Sequence, residues 1–236
     1  MNKSLKFLNT LIYSIVVTLF ALSFSIAIPL FWRGFYYLHI DPYHLVEVTG
    51  YSKSDLIYSF NELMNSLMFF KTPFSEGVFP FSESGKSHFL DCQFLFVLDY
   101  VILIISAVLL VIYLILHRKN KNLIYRPFNI SSSIFMMLVP VILLGALGIY
   151  ALIDVNSAFE FFHKVFFPGK TNWVFNSYTD PIIKALPEEF FIHCGILILG
   201  VYLLIFIVNL IYNLIKKNKL GKNKIYYSRR THNAIY

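Results

Sequence analysis

Four stretches of the chain, 8–31, 94–116, 130–153 and 190–215, are built mainly from Leu, Ile, Val, Phe and Ala. Each exceeds the roughly 20 residues that a helix needs to cross the hydrocarbon core of a bilayer. Four transmembrane helices are therefore predicted. Asp99 is the only charge inside them. Pro140 and Gly145 interrupt the third, which neighbouring helices can accommodate. Lys3 and Lys6 precede the first run as they would in a signal peptide, but its apolar core is about twice a signal peptide's length, so it reads as a retained anchor.

The segments 33–92 and 154–189 break this pattern. Trp32, Phe35, Tyr36 and Tyr37 form an interfacial aromatic belt. After a capping signal at Ser52 or Ser54, apolar residues from Leu56 to Met68 recur at helical spacing. They predict an amphipathic helix of about four turns, too short to span, lying on the bilayer or roofing a cap. In the second segment Asn156 or Ser157 is the expected cap of a short helix carrying Phe159, Phe162, His163 and Phe166, which Pro168-Gly169 ends. Asp180-Pro181 opens another short helix. The whole reads as one all-α membrane domain over residues 1–236: four transmembrane helices and a cap of short or interfacial helices and loops.

Composition agrees: 57% of the residues are hydrophobic and only 14% charged, against about a quarter charged in soluble domains. The placement of charge sets orientation. Lys3 and Lys6, the loop 117–129 with Arg118, Lys119, Lys121 and Arg126, and the tail 216–236 with Lys216, Lys217, Lys219, Lys222, Lys224, Arg229 and Arg230 contain no acidic residue. By the positive-inside rule both termini and this loop are cytoplasmic, and 33–92 and 154–189 are extracytoplasmic. The net charge of +7 is thus a topology signal and not a nucleic-acid footprint; the basic tail is expected against anionic lipid. Cys92 and Cys194 lie near outer helix ends and are expected as two free thiols, with a disulfide as the lesser alternative.

What remains for chemistry is histidine. Walker, GxSxG, HExxH and EF-hand patterns are absent from the chain. His88 and His163 fall at one depth, the outer membrane boundary, among phenylalanines. Ionisable residues in such places raise the prior for function, although an amphipathic imidazole also suits an interface by itself. Asp91 follows His88 by three residues and is expected to orient it; Asp180 or Glu188 are the corresponding candidates for His163. A metal held by His88, His163, Asp91 and Glu83 is the rival arrangement. His39 and His44 read as solvated loop residues, His117 as a positive-inside residue and His193 as a helix-end interfacial one.

The run Ser82-Glu83-Ser84-Gly85-Lys86-Ser87-His88-Phe89-Leu90-Asp91, with Leu95 and Phe96, resembles the first signature of the lipoprotein intramolecular transacylase (Lit) family. Phe159 to Phe167 around His163, then Trp173, Asp180 and Leu186-Pro187-Glu188, resembles the second. The likeness covers essentially the whole chain, including its four-helix layout. It departs at Cys92-Gln93, where the family tends to have Val-Lys, which puts a lysine's role there in doubt.

The resemblance implies a bacterial cell-membrane acyltransferase without a cofactor. Its substrate would be a lipoprotein whose N-terminal cysteine carries an S-diacylglyceryl group. The sn-2 acyl chain would pass to the α-amine, leaving a lyso-form lipoprotein. His88 and His163 would supply acid and base; Phe89, Phe159, Phe162, Phe166 and Trp173 would wall the pocket; Asp91, Glu83, Asp180 and Glu188 would support it. Lipoprotein and membrane lipid are then the partners, with no nucleic acid. A membrane metalloenzyme using the same histidines, and a non-enzymatic sensor or assembly protein with a ligand-binding cap, are the alternatives.

Overall fold

The computed structural model describes residues 3–69, 72–119 and 132–232, with side chains for 4–69, 72–116 and 132–215. Its described elements are helices: α1 (Lys3–Phe31), α2 (Gly34–Ile40), α3 (Leu45–Thr49), α4 (Lys53–Phe69), α5 (Glu83–Lys119), α6 (Ser133–Ile153), α7 (Val155–Phe166), α8 (Ile182–Ala185) and α9 (Glu188–His232). Four of them, α1, α5, α6 and α9, are long and apolar enough to cross a membrane. The all-helical membrane class expected from the apolar runs is the one observed.

Two boundaries differ usefully from the apolar pattern. α5 begins at Glu83, well before the apolar run at 94, because Ser82 supplies an N-terminal hydroxyl that accepts from the Gly85 amide at 3.0 Å. His88 and Asp91 therefore lie on the helix itself and not in a loop before it. At the other end α9 continues past residue 215 to His232. The basic side chains of 216–236 and the loop residues 120–129, on which the orientation reading rests, lie outside the described side chains.

The chain divides into two compact units. One comprises Met1–Leu22, Ile104–Ile142 and Gly200–Tyr236. Ala21, Met137 and Tyr202 pack at its centre, and the Tyr202 hydroxyl donates to the Met137 carbonyl at 2.9 Å. In an apolar surrounding that bond spares a phenol from being buried unpaired.

The other unit, Ser23–Leu103 with Leu143–Leu199, holds the site. α4 runs through its core instead of lying on a surface: Leu56, Phe60, Leu63, Met64, Leu67 and Met68 are all buried. Its start is a reciprocal cap, with the Asp55 amide donating to the Ser52 hydroxyl at 3.1 Å and the Ser52 amide donating to the Asp55 carboxylate at 3.3 Å. Arg33, at the head of α2, donates to the Asn61 carbonyl at 3.0 Å and to the Asn65 side chain at 2.8 Å, tying α2 to α4. Tyr36 stacks on Phe60 at 4.1 Å. Aromatic pairs of this kind add about 0.5–1.5 kcal/mol beyond the area they bury. The result is a firm base under the loops that follow.

Candidate active site

α5 and α7 each deliver one histidine. In α7 the cap is Asp154, not the expected Asn156 or Ser157: its carboxylate accepts from the Ser157 amide at 3.0 Å and from the Ser157 hydroxyl at 2.6 Å. The Asn156 side-chain amide instead lies 3.0–3.1 Å from the Glu188 carboxylate and, oriented with its nitrogen toward it, donates to both oxygens, linking the start of α7 to the start of α9. With that register, Ala158 and His163 face inward and Phe161, Phe162, Val165 and Phe166 face out. Phe167 and Gly169, the latter at φ 76°, close the helix. Glycine meets that left-handed conformation at no steric cost.

The two rings meet. His88 and His163 are 5% and 6% exposed, with ring centroids 5.5 Å apart. Trp173 stacks on His163 at 4.8 Å and Phe159 lies 4.2 Å from it. Phe167 touches both histidines, at 4.9 Å from His88 and 5.8 Å from His163, and Phe175 meets His88 at 5.6 Å. Of the expected wall residues, Phe159 and Trp173 lie against the His163 ring, and Phe89 packs on Phe175 at 5.4 Å. Phe162 reaches the His163 ring at 5.6 Å but is exposed. Phe166 packs on Phe162 and is turned away from the histidines. Phe167 and Phe175 are the walls that sequence reasoning missed. Phe167, four residues after His163, follows it on the same face.

Hydrogen bonding gives the two rings different states. His163 Nδ1 sits 2.7 Å from the Phe159 carbonyl. A carbonyl only accepts, so Nδ1 carries the proton and Nε2 is left as a lone pair. Burial pushes the His163 pKa below the usual histidine value, with the Phe159 carbonyl opposing. A lowered value keeps the ring neutral at pH 7. His88 contacts the Cys92 thiol through Nε2 at 3.5 Å, one helical turn along, while its buried Nδ1 has no partner.

The carboxylates are placed otherwise than expected. Asp91 does not bond His88: it receives the Lys170 ammonium and, at 2.9 Å, the Asn172 amide. Lys170 and Asn172 thereby fasten the loop after α7 to α5, a role that only the folded chain reveals. Asp180 is buried and accepts from the Ser82 amide at 2.7 Å and the Thr179 hydroxyl at 2.6 Å, so it anchors the head of α5 and does not serve His163. Glu83 is turned outward toward Lys86, and Glu188 is held by Asn156. Both cysteines are free thiols. Among the described residues, no three His, Cys, Asp or Glu side chains converge as metal ligands.

A confined, aromatic-walled space with one neutral imidazole lone pair and one unpartnered imidazole nitrogen suits proton transfer to and from a bound substrate.

The family model described as lipoprotein intramolecular transacylase Lit matches residues 11–191. No match is found among curated proteins. The solved structure of the membrane integral lipoprotein intramolecular transacylase Lit from Bacillus cereus is similar at a TM-score of 0.80 and 25% identity, over 93% of this chain and 100% of that one. Two variants of the same Bacillus cereus protein, with one histidine replaced by arginine or by alanine, match at a TM-score of 0.73 and 24% identity. They span 92% and 91% of this chain and 94% and 96% of theirs.

Proposed function

The chain belongs to the lipoprotein intramolecular transacylase (Lit) family, an acyltransferase family, and on that premise we propose how its two histidines carry the transfer. The substrate is a lipoprotein whose N-terminal cysteine bears an S-diacylglyceryl group and a free α-amine. His163 Nε2 takes a proton from the amine as its nitrogen attacks the sn-2 ester carbonyl. His88, with the Cys92 thiol donating to its Nε2, carries its own proton on Nδ1. It donates that proton first as a hydrogen bond to the developing oxyanion and then to the leaving glyceryl oxygen. The N–C bond forms, the C–O bond breaks and the glyceryl oxygen leaves as a hydroxyl; the proton that His163 took from the amine then passes to His88 Nδ1, so both rings end neutral as they began. The product is an N-acyl, S-monoacylglyceryl chain.

An amide replaces an ester, so the reaction runs downhill without a nucleotide. Nucleophile and ester already share one molecule, and attack passes through an eight-membered ring. The protein's part is to fold that flexible ring. Holding reactants in line recovers as much as roughly 7–11 kcal/mol of barrier in favourable cases. Phe159, Phe167, Trp173 and Phe175 are suited to this because they are stiff and leave little room for water.

The single observation that carries the reading is the pairing of two buried imidazoles at 5.5 Å, one with its lone pair free and the other with an unpartnered nitrogen. The reaction is placed at the outer face of the bacterial cytoplasmic membrane, with both termini inside, on the strength of the basic residues outside the apolar runs. Lipid around the four spans is a partner in the same sense, and the residues act as one membrane domain.

Mass spectrometry of lipopeptides from cells expressing the protein tests the site. His163→Ala is expected to abolish the N-acyl lyso form, with a loss of about 10²–10⁴-fold in rate for the purified enzyme. His88→Ala is expected to do the same. Unchanged product from either variant removes that histidine from the mechanism.

A further inference from the structure

A second histidine pair lies outside this site. His39, in α2, and His193, in the second turn of α9, were expected to be a solvated loop residue and an interfacial helix-end residue. The fold joins them: His39 Nε2 lies 2.9 Å from His193 Nδ1, and the Tyr43 hydroxyl lies 2.8 Å from the same nitrogen. Three donor atoms of metal-ligating type therefore meet within one small space, contributed by two separate stretches of chain.

The surroundings fix the geometry. His39 Nδ1 is 2.6 Å from the Phe35 carbonyl, which can only accept. A proton is therefore on Nδ1, and Nε2 is the ring nitrogen turned toward His193. A backbone carbonyl holding the far ring nitrogen is the usual way in which proteins orient a metal-binding histidine. The His39 ring is walled by Phe35 at 4.7 Å, Phe190 at 5.4 Å and Tyr43 at 5.5 Å. The Glu189 carboxylate stands one turn before His193 on the same face of α9. His193 is itself exposed, so the cluster lies at the protein surface.

We propose that His39 Nε2, His193 Nδ1 and the Tyr43 hydroxyl form a binding site for a divalent transition-metal ion, with water completing the coordination. Two nitrogens on one zinc ion at about 2.0–2.1 Å lie slightly more than 3 Å apart, so the present gap accepts the ion after a small rotation of either ring. Imidazole and phenol oxygen suit zinc or a similar borderline metal and do not suit calcium or magnesium. The ion would join α2 to the first turns of α9. It takes no part in acyl transfer, so the proposal stands or falls apart from the two-histidine mechanism.

Zinc titration by calorimetry of the full chain in detergent tests it, in a background carrying His163→Ala and Cys92→Ser so that the other imidazole pair is disabled. About one equivalent of Zn2+ is expected to bind. His193→Ala should weaken binding by at least about tenfold. His39→Ala should do likewise, and Tyr43→Phe, which removes only the hydroxyl, should weaken it less. Zn2+ should raise the thermal midpoint of the background protein but not that of the His193→Ala variant, and Mg2+ should do neither. Because His193 is exposed, its replacement leaves the core packing in place. Absence of zinc binding in the background protein, or equal binding by the His39→Ala/His193→Ala double variant, overturns the proposal.

Discussion

His163 shows how a single contact decides a residue's chemistry. Its proton is fixed on Nδ1 by the Phe159 carbonyl, and burial depresses its pKa, so the ring stays neutral to a lower pH than an ordinary histidine. A depressed pKa means that protonation, and with it loss of the base, comes only below the ordinary histidine value of about 6.5. Two acid limbs are expected in kcat, which reports groups in the bound complex: one from the attacking amine, whose reference value is about 8, and a second from His163 below pH 6.5. Trp173→Ala re-exposes the ring it stacks on and should move that limb upward toward 6.5. Absence of the lower limb in the unmodified enzyme, or a lower limb that Trp173→Ala leaves in place, counts against His163 as the base. Both histidines were legible in the sequence because a polar ring among phenylalanines stands out. Their helpers were not. Asp91 was legible as a carboxylate three residues from His88, yet it spends its charge on Lys170 and Asn172, some 80 positions along the chain. No local spacing announces a partner at that distance.

At the level of elements, the start of α5 is the part that the apolar pattern misplaced. Hydropathy marks where a helix enters lipid, not where its hydrogen bonding begins, and the polar turn and a half from Glu83 to His88 carries no apolar signal. What fixes them is a close approach at Gly85. A Cβ there would run into the Asp180 carboxylate and come within 2.9 Å of the Phe175 ring. Asp180 holds the Ser82 amide, and Phe175 lies against His88, so one added methyl group disturbs both the anchor and the wall. Gly85→Ala is expected to cost about 1–3 kcal/mol, the usual range for overpacking, and to slow acyl transfer. Thermal unfolding and turnover of the purified variant check both; wild-type behaviour in each would show that Phe175 and Asp180 yield freely. The capping of α4 by Ser52 was legible and correct in kind. The capping of α7 was read one turn too late, since Asp154 looked like the end of α6.

The molecule as a whole carries a further acid outside the mechanism. Glu76 is 1% exposed, and neither of its carboxylate oxygens has a hydrogen-bond partner. Burial first, and then the charge of Asp180, raise its pKa from 4.5 to about 8. Below pH 4.5 the carboxyl is protonated in both folded and unfolded chains and costs nothing through ionisation. Between 4.5 and about 8 the unfolded chain ionises while the folded one does not, so stability falls as pH rises and then levels. Each unit of difference corresponds to about 1.4 kcal/mol. Glu76→Gln is expected to flatten this slope and raise the thermal midpoint at pH 8, measured across pH 5–9; an unchanged slope would show that Glu76 gains a partner in solution. The fold class was readable from four apolar runs because the bilayer imposes their length. The cluster of His39, Tyr43 and His193 was not, since its members are spread along 33–92 and 190–215. On α7 Phe161, Phe162, Val165 and Phe166 point outward from the helix that carries His163, an apolar face suited to acyl chains. Under the proposed mechanism a lipid-anchored substrate would reach His163 by diffusing in two dimensions, and its effective concentration would be its mole fraction among lipids, not its molarity in the buffer.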